Sequence, residues 1–519
     1  MSEITFSVMS LRNQHLTLRD TLPPLLIYLA AGLSGMTNIV GAFFVKEHLG
    51  LSAEFLTALG FWISLPWTLK LFFAHLTDLA WRLKAWFVVA GATLIFTSGA
   101  ILFGLFTQRA AMTVWMSAEA WYVWSALLAP VGYVLQDVVA DAMTVEAVPR
   151  TDAQGAPLSE DEIKLMHTTM QALSRGVLIA GGLVVALINL VLFSDNELGG
   201  SNTSARQLIA GLALLIPIFS VLGIATAVLL PRSSQRHEQP TDWPGADPLV
   251  LSAAGAFIVV SLAFGVGHVP HAELWVFLLS LAIVLMLIRR LFTQLDPEAQ
   301  RTLLGTAVVL FVFRAVPDPG PGPNWWMIDQ LNVDERFFAL LSILGSVQAL
   351  VGLIAFRRWM AQRSVTFTVI ILTLASTVLS IPMTGMYFGL HEWTAALTGG
   401  WLDGRAIIVT DTASLSLLSE IAMVPMLAWV ARTAPEHIKA TYFAVMVSFI
   451  NLGFLLARLG TQYLNQIFVV TREVRDAKGV ATPADYSQLG ALVATSTTLM
   501  MVLPLATILL LGRTRLRSS

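Results

Sequence analysis

The sequence contains no cysteine, and this absence excludes several kinds of chemistry. Disulfides, thiolate catalysis and cysteine-ligated metals are impossible. The nine histidines show neither HxxxH nor HExxH spacing, and no GxxxxGK[ST] loop is present. A net charge of −2 lacks the basic surface that nucleic-acid binding requires. We therefore expect no metal, no cofactor, no nucleic-acid partner and no enzymatic activity.

Charged residues are equally scarce. Asp, Glu, Lys and Arg make up 12% of the 519 residues, whereas hydrophobic residues make up 56%. A soluble domain carries about 25% charged residues. With a mean hydropathy of +0.73, the chain cannot cover a water-facing surface. A soluble enzyme of this length is excluded, and the composition indicates an integral membrane protein.

Long apolar runs recur along the chain. A bilayer core requires about 20 apolar residues per helix, and runs of this kind predict about fourteen spans in the order six, two and six. They lie near Leu22–Val45, Ala53–Phe73, Ala85–Phe106, Ala118–Val145, Leu165–Phe193, Leu208–Leu230, Leu249–Val266, Leu274–Ile288, Leu303–Val316, Phe337–Phe356, Val365–Met383, Ile407–Ala431, Thr441–Leu464 and Leu489–Leu511.

The distribution of basic residues orients these spans. With the N-terminus inside, nineteen of the 31 Lys and Arg residues fall on the inner side, eight fall in outer loops and four lie within apolar runs. Basic residues collect on the cytoplasmic side of membrane proteins. Residues 1–21 are polar and show no cleavable signal peptide. We expect a multi-pass protein of the cell (inner) membrane with both termini in the cytoplasm.

The order of spans predicts the domain organisation. Two six-helix halves joined by a polar cytoplasmic linker are the layout of the major facilitator superfamily. The predicted fold is all-α, with a bundle at 1–230, a linker at 231–248, an inserted two-helix hairpin at 249–293 and a second bundle at 294–519.

Two stretches of the first half carry a family resemblance. Pro66–Lys70 reads PWTLK and leads to Thr77–Asp78, while Asp137–Glu146 reads DVVADAMTVE. These stretches resemble the folate–biopterin transporter family of the major facilitator superfamily. Phe313–Pro317 resembles the end of the seventh helix in that family, and Pro425–Asn451 resembles its stretch from the tenth to the eleventh helix. The resemblance implies transport of a folate- or pterin-like solute. The same motifs are similar to those of muropeptide permeases and acetyl-CoA transporters, which keeps other cargoes open.

Charges inside the apolar runs are the strongest functional signal. A buried ionisable group is unfavourable unless it is paired or hydrated, and it marks substrate or ion pathways. Depth counted at about 1.5 Å per residue matches four cations with four anions. The predicted pairs are Lys70 with Asp141, Arg175 with Asp137, Arg314 with Glu420, and Arg458 with Asp411. We expect them to line a polar interior between the halves, where such transporters bind substrate.

Other residue types complete the predicted site. Arginine forks suit carboxylates and aromatic faces suit a pterin ring. The substrate-binding and coupling set is Lys70, Asp137, Asp141, Arg175, Arg314, Glu420, Asn38, Gln171, Trp121 and Trp124. The gating set is Asp78, Arg82, Asp411 and Arg458. Glu146 is expected to pair with a basic loop residue, and Trp325 and Trp326 are expected to belong to the interfacial aromatic belt.

The sequence therefore predicts a monomeric secondary transporter. The solute would be a small organic anion of the folate or pterin type, moved by alternating access and coupled to protons. Three alternatives stay open at this point. The same fold could carry a muropeptide, a coenzyme A ester or a siderophore; it could serve as a non-transporting assembly factor for a membrane pigment complex; and an intramembrane enzyme is the least supported.

Overall fold

Helices form almost everything that the structure describes. A computed structural model describes residues 17–513, apart from 69, 71–72, 74–75, 78–79, 150, 152–155, 195–201, 230–251, 253–254, 258, 262, 265–268, 293–296, 357–362, 434–438 and 476–480. Within its helices and strands, some side chains are also outside the description, among them Gln171 and those of 419–433.

The helices of the first part of the chain follow the predicted spans closely. They are α1 Leu18–Gly32, α2 Asn38–His48, α3 Ala53–Thr68, α4 Lys84–Thr107, α5 Arg109–Met112, α6 Ala118–Glu146, α7 Glu160–Ser194, α8 Asn202–Ala213 and α9 Ile216–Leu229. Two 3₁₀ segments, Leu33–Thr37 and Trp81–Leu83, precede α2 and α4.

Among its described residues, the second part contains further helices with defined bounds and a small β-hairpin. The helices are α10 Ala272–Phe292, α11 Pro297–Arg314, α12 Gly322–Leu331, α13 Glu335–Ala355, α14 Val365–Leu379, α15 Ile381–Met386, α16 Leu390–Leu397, α17 Gly404–Thr433, α18 Lys439–Ile467 and α19 Leu489–Gly512. Strands β1 Val474–Arg475 and β2 Ala481–Thr482 pair antiparallel, with Val474 opposite Thr482.

The predicted all-α membrane architecture is confirmed. Among the described residues, ten helices are long and apolar enough to cross a membrane. In hydrocarbon, a helix satisfies its backbone hydrogen bonds internally, which is why apolar runs of this length become helices. The other four predicted spans include α3, α11 and α17, so the count of fourteen and the cytoplasmic termini stay predictions.

The helix of the first span is interrupted directly after Gly32. Leu33–Thr37 forms a 3₁₀ segment that separates α1 from α2. Before it, Gly32 approaches α7 so closely that an added Cβ would lie 2.4 Å from the carbonyl oxygen of Leu178. A glycine is required there because any side chain would clash with backbone, and the close approach anchors the end of α1.

The described residues form two compact units. The first contains those between Met1 and Val40 and between Phe72 and Leu251, and the second contains those between Gly41 and Leu71 and between Ser252 and Ser519. The predicted boundaries of the two bundles, the linker and the hairpin stay a prediction.

In the first unit, α1 packs against α6, α7 and α9, and α4 packs along α6. A core cluster that includes Ile27, Tyr28, Val88, Val139 and Met143 fills the space between these helices. In lipid, helix association depends on close packing rather than on hydrophobic burial. Small residues at the crossings therefore decide how near the helices come.

In the second unit, α18 is the central helix and packs against α3, α10 and α11. Helix α17 packs against α13 and α14, and α19 packs against α11 and α14. Helix α10, from the predicted inserted hairpin, is tied to α3 because the Trp62 indole N–H donates to Glu273 Oε1 at 3.0 Å.

Candidate functional site

The position of α6 is set by a glycine crossing and a buried glutamine. An added Cβ at Gly91 on α4 would lie 2.6 Å from the carbonyl oxygen of Gly132 on α6, so the two backbones nearly touch. One turn further along α6, the amide of Gln136 donates to the carbonyl oxygen of Val88 at 3.1 Å and accepts from the Ser220 hydroxyl at 2.8 Å. Gln136 is 1% exposed, and these bonds join α6 to α4 and α9.

The two aspartates that follow Gln136 approach a tyrosine of α1. The hydroxyl of Tyr28, a residue that is 6% exposed, donates a hydrogen bond to Asp141 Oδ1. Asp137 and Arg175 also interact electrostatically with this hydroxyl. Three helices thus bring one phenol, two carboxylates and one guanidinium into a polar cluster inside predicted spans. We name Tyr28, Asp137, Asp141 and Arg175 the first-unit cluster.

Glu146, at the C-terminal end of α6, has a basic partner of the predicted kind. Lys84 Nζ lies 3.2 Å from Glu146 Oε2, and the Trp81 indole N–H donates to Glu146 Oε1 at 2.7 Å. Lys84 Nζ also lies 4.1 Å from the centre of the Trp81 ring. The prediction that Glu146 pairs with a basic loop residue is confirmed. The contact joins the last turn of α6 to the start of α4.

In the second unit, α11 and α18 approach closely along a line of small residues. An added Cβ at Gly453 would lie 2.6 Å from the carbonyl oxygen of Phe311, and one at Gly460 would lie 3.1 Å from Pro317 Cβ. The rings of Phe311 and Phe449 stack with centroids 4.9 Å apart. This seam holds the end of α11 and the loop after it against α18.

Two arginines meet one phenylalanine beside this seam. The guanidinium carbon of Arg314 lies 5.4 Å from the centre of the Phe454 ring, and that of Arg458 lies 4.8 Å from it. Arg458 Nη1 donates to Asp318 Oδ2 at 3.0 Å, and the Asp318 backbone N–H donates to the Thr461 hydroxyl at 3.0 Å. We name Arg314, Phe454, Arg458 and Asp318 the seam cluster.

The predicted pairing of Arg458 with Asp411 is therefore wrong. Asp318 was not a candidate partner because it lies in the loop just after α11, outside the apolar runs. Asp411 Oδ1 is buried and has no hydrogen-bond partner among the described residues. Asp411 interacts electrostatically with the Tyr387 hydroxyl. The side chain of Glu420, the predicted partner of Arg314, lies outside the described residues.

The remaining predicted residues are dispersed. The Trp121 indole N–H donates to the carbonyl oxygen of Met112 at 3.0 Å, which ties α6 to α5, and Trp124 is 54% exposed. Asn38 is exposed and Lys70 is half-buried. Arg82 is exposed in the 3₁₀ segment before α4. Asp78 and the side chain of Gln171 lie outside the described residues. The pairing of Lys70 with Asp141 stays a prediction.

The belt prediction is wrong for Trp325, which is 4% exposed. The guanidinium carbon of Arg472, itself 4% exposed, lies 5.3 Å from the centre of the Trp325 ring. Trp326 contacts Tyr387 edge-on, with ring centroids 4.8 Å apart. Both tryptophans of α12 therefore pack against side chains of the second unit.

A polar network lies in segments that the predicted topology places on the outer side. Lys46 forms an ion pair with Asp329 Oδ1, and the Tyr486 hydroxyl donates to Asp329 Oδ2 at 2.5 Å. Burial is the main cause that raises the pKa of Tyr486, and its hydrogen bond to Asp329 raises it further. Burial also lowers the pKa of Arg472. This network fastens the end of α2 to α12 and to the segment before α19.

Comparison with known proteins decides the family. A sequence model of the BT1 family matches residues 31–518. The chain belongs to the BT1 family. This BT1-family chain is 22% identical over 444 residues to a folate-biopterin transporter of Synechocystis, covering 84% of this chain and 73% of that one. It is 21% identical over 192 residues to folate transporter 2 of Plasmodium falciparum, covering 35% of this chain and 40% of that one.

Solved structures confirm the fold of this BT1-family chain. A POT family transporter in complex with 5-aminolevulinic acid is similar with a TM-score of 0.63 at 12% identity, over 96% of this chain and 97% of that one. The nucleoside transporter NupG is similar with a TM-score of 0.54 at 11% identity, over 96% and 100%. The major facilitator fold is confirmed, and the chain is a multi-pass membrane transporter, in agreement with the predicted inner-membrane location.

Sequence reasoning missed three residues that the BT1-family fold brings into the two clusters. Tyr28 and Phe454 are uncharged residues within apolar runs, where an aromatic side chain usually indicates packing. Asp318 lies between two prolines in a loop. One usable signal was the position of Phe454, four residues before Arg458, because residues four apart share a helix face. The described residues hold no group of three or more His, Asp or Glu that could bind a metal.

Proposed function

We propose that this chain is a proton-coupled secondary transporter for an anionic organic solute of the folate or pterin type, working by alternating access. The observation that carries the proposal is the first-unit cluster. Its carboxylates Asp137 and Asp141 interact with Tyr28 inside predicted spans, and Arg175 supplies the basic group. Ionisable groups at membrane depth mark substrate paths and proton relays, and this cluster combines an acid, a base and a hydroxyl.

The chemistry of the two clusters supports the proposed solute class. Folate joins a flat pterin ring to a glutamate tail, so it offers an aromatic face and carboxylates. Guanidinium groups bind carboxylates in a fork geometry; Arg175 and Arg314 are the residues assigned to this role. The names of two relatives, a folate-biopterin transporter and a folate transporter, support this class for the present chain.

Coupling to protons is assigned to the carboxylates. Asp137, Asp141 or Glu420 would take up a proton and so release its basic partner, because a neutral acid no longer attracts a cation.

The set of substrate-contacting residues also retains Lys70, Asn38, Gln171, Trp121 and Trp124, and gating is assigned to Asp78, Arg82, Asp411 and Arg458. The protein is proposed to act as a monomer.

The test is uptake of labelled folate by vesicles that contain the full chain. An inward proton gradient should drive accumulation above protein-free vesicles, and a protonophore should abolish it. If a protonophore leaves uptake unchanged, the assignment of proton coupling is wrong. Unlabelled biopterin, a muropeptide, a coenzyme A ester and a siderophore serve as competitors of folate uptake. If labelled folate is not taken up, uptake of one of the last three in labelled form would assign a different cargo.

Arginine variants test the assigned roles. Arg175→Gln and Arg314→Gln should each lower folate kcat/KM by about tenfold or more, because a hydrogen bond to a charged group contributes about 1.5–3 kcal/mol. Arg405→Gln is the matched control. Arg405 also lies over a phenylalanine ring, 5.8 Å from the centre of Phe337, and it donates to the carbonyl oxygen of Asn332 at 2.9 Å. Its substitution should leave uptake unchanged.

A further inference from the structure

The seam cluster combines three features that together suit a carboxylate. Arg314 and Arg458 lie over the same Phe454 ring, at 5.4 and 4.8 Å from its centre. Phe454 and Arg458 are four residues apart and share one face of α18. Arg314 ends α11, and the Gly453 crossing brings its Cβ to within 3.2 Å of where a Cβ at Gly453 would lie. Backbone packing of α11 against α18 therefore brings both guanidinium groups to the same ring.

The acid that does contact this group is loosely held. Asp318 pairs with Arg458 at 3.0 Å, but the side chains are 49% and 34% exposed. Exposed ion pairs contribute about 0.2–1 kcal/mol. Arg458 Nε is buried and makes no hydrogen bond within the part of the chain that the structure describes. A ligand carboxylate could therefore replace Asp318 at little cost and could use a fork geometry on the guanidinium.

The backbone around Asp318 suits such an exchange. Its carboxylate Oδ1 accepts from the Gly320 backbone N–H at 2.8 Å, and its own N–H donates to the Thr461 hydroxyl. Gly320 has a φ of +74°, which favours glycine. These bonds hold the loop in place whether or not Oδ2 contacts Arg458. Loss of the ion pair would free the guanidinium without unfolding the loop.

We propose that Arg314 and Arg458, mounted on Phe454, bind a carboxylate of the transported solute, and that Asp318 is a built-in competitor which the solute displaces from Arg458. The inference rests on the proposed function for the identity of the solute, and it changes the role of Arg458 from gate to binding residue. The expected ligands of the seam cluster are solutes with a dicarboxylate tail. A neutral pterin would leave the Asp318–Arg458 pair intact.

Binding of glutarate to the purified full-length protein tests the site without requiring transport. Glutarate presents the two carboxylates of a glutamate tail, and its apparent Kd is read from the rise in unfolding temperature at matched ionic strength, because salt screens such contacts. Asp318→Asn should lower the Kd by about two- to fivefold, the equivalent of an exposed ion pair. Arg458→Gln should raise it by about tenfold or more.

Further variants separate the site from a general loss of structure. Asp318→Asn retains a side-chain oxygen that can accept from the Gly320 N–H, so the loop should be preserved. Arg458→Lys keeps the charge but loses the fork, and its Kd should fall between wild type and Arg458→Gln. Arg405→Gln should bind glutarate as the wild type does. An Asp318→Asn protein with unchanged or weaker glutarate binding overturns the proposal.

Transport measurements distinguish this inference from the proposed function. In vesicles, Asp318→Asn should lower the KM for folate and leave that for biopterin, which has no carboxylate, unchanged. Equal effects on both solutes would overturn the inference while leaving the transporter assignment intact. Absence of folate uptake together with the expected glutarate pattern would support the site and refute folate as the solute.

Discussion

The Tyr28 hydroxyl donates to Asp141 across 113 residues of chain, and this bond links the first span to the DVVADA motif of the fourth. Asp137 and Arg175 interact with the same hydroxyl. A phenol in this position donates to the carboxylate of Asp141 and orients it toward its neighbours. The motif thus has a structural explanation: Gln136 anchors the helix, Asp141 engages α1, and Glu146 engages the start of α4.

Tyr28→Phe removes the hydroxyl that makes this hydrogen bond and keeps the aromatic ring. In a double-mutant cycle with Asp141→Ala, measured by unfolding of the purified protein, we expect a coupling energy of about 1 kcal/mol, the usual scale for interhelical hydrogen bonds in membranes. Folate uptake by Tyr28→Phe should fall as well. Strictly additive effects of the two substitutions would show that the contact contributes nothing to stability.

Gly91→Ala should destabilise the first unit. Its Cβ would lie 2.6 Å from the Gly132 carbonyl oxygen, and overpacking of this kind costs about 1–3 kcal/mol. Gly182→Ala is the matched control, because an added Cβ there meets nothing within 4 Å. The measurement is unfolding temperature in detergent. Equal stability of the two variants would contradict the close helix crossing.

Glu146→Gln should lower the free energy of unfolding slightly, by weakening the contact between the C-terminal end of α6 and the start of α4. The ion pair with Lys84 is partly exposed, at 19% and 29% of the two side chains, so its loss should cost about 0.2–1 kcal/mol. The Trp81 hydrogen bond can persist, because the amide keeps an oxygen. The difference between wild type and variant should shrink in high salt, which screens exposed charges. A salt-independent difference would assign the effect to something other than the ion pair.

Tyr486 should make stability sensitive to alkaline pH. Its pKa in the folded protein is raised, mainly by burial and then by Asp329, so the folded state keeps its proton where the unfolded state loses it. The unfolded state binds fewer protons above about pH 10, and stability should therefore fall as pH rises past that value. Tyr486→Phe should show a shallower decline between pH 9 and pH 11 in thermal unfolding.

The Tyr486 comparison has a clear opposite outcome. Other tyrosines and lysines titrate in the same range, so only the difference between the two proteins bears on Tyr486. Parallel declines would mean that Tyr486 ionises equally readily in both states. Below pH 9, Tyr486→Phe should be uniformly less stable, because it loses the hydrogen bond to Asp329.

Some features of the site were predictable from residue type and others were not. Glu146 pairs with Lys84, and this contact was predictable because the sequence places both residues at the same predicted end of their spans. Arg458 does not pair with Asp411. The predicted depth of two residues in the membrane gives no information about the direction in which each helix face points. Asp318 contacts Arg458 because the close approach of Gly460 to Pro317 places the loop after α11 against α18. The sequence predicts that Trp325 belongs to the interfacial aromatic belt, but the residue is buried against Arg472.

Composition and hydropathy by themselves determined that this chain inserts into a membrane as helices, since a backbone in hydrocarbon must satisfy its own hydrogen bonds. The short motifs at 66–70 and 137–146 were enough to indicate the family. Only the tertiary structure decided which side chains meet: Tyr28 with Asp141, and Arg314 and Arg458 with Phe454. These contacts depend on helix rotation and on backbone approach at single glycines, and neither property is encoded in local sequence.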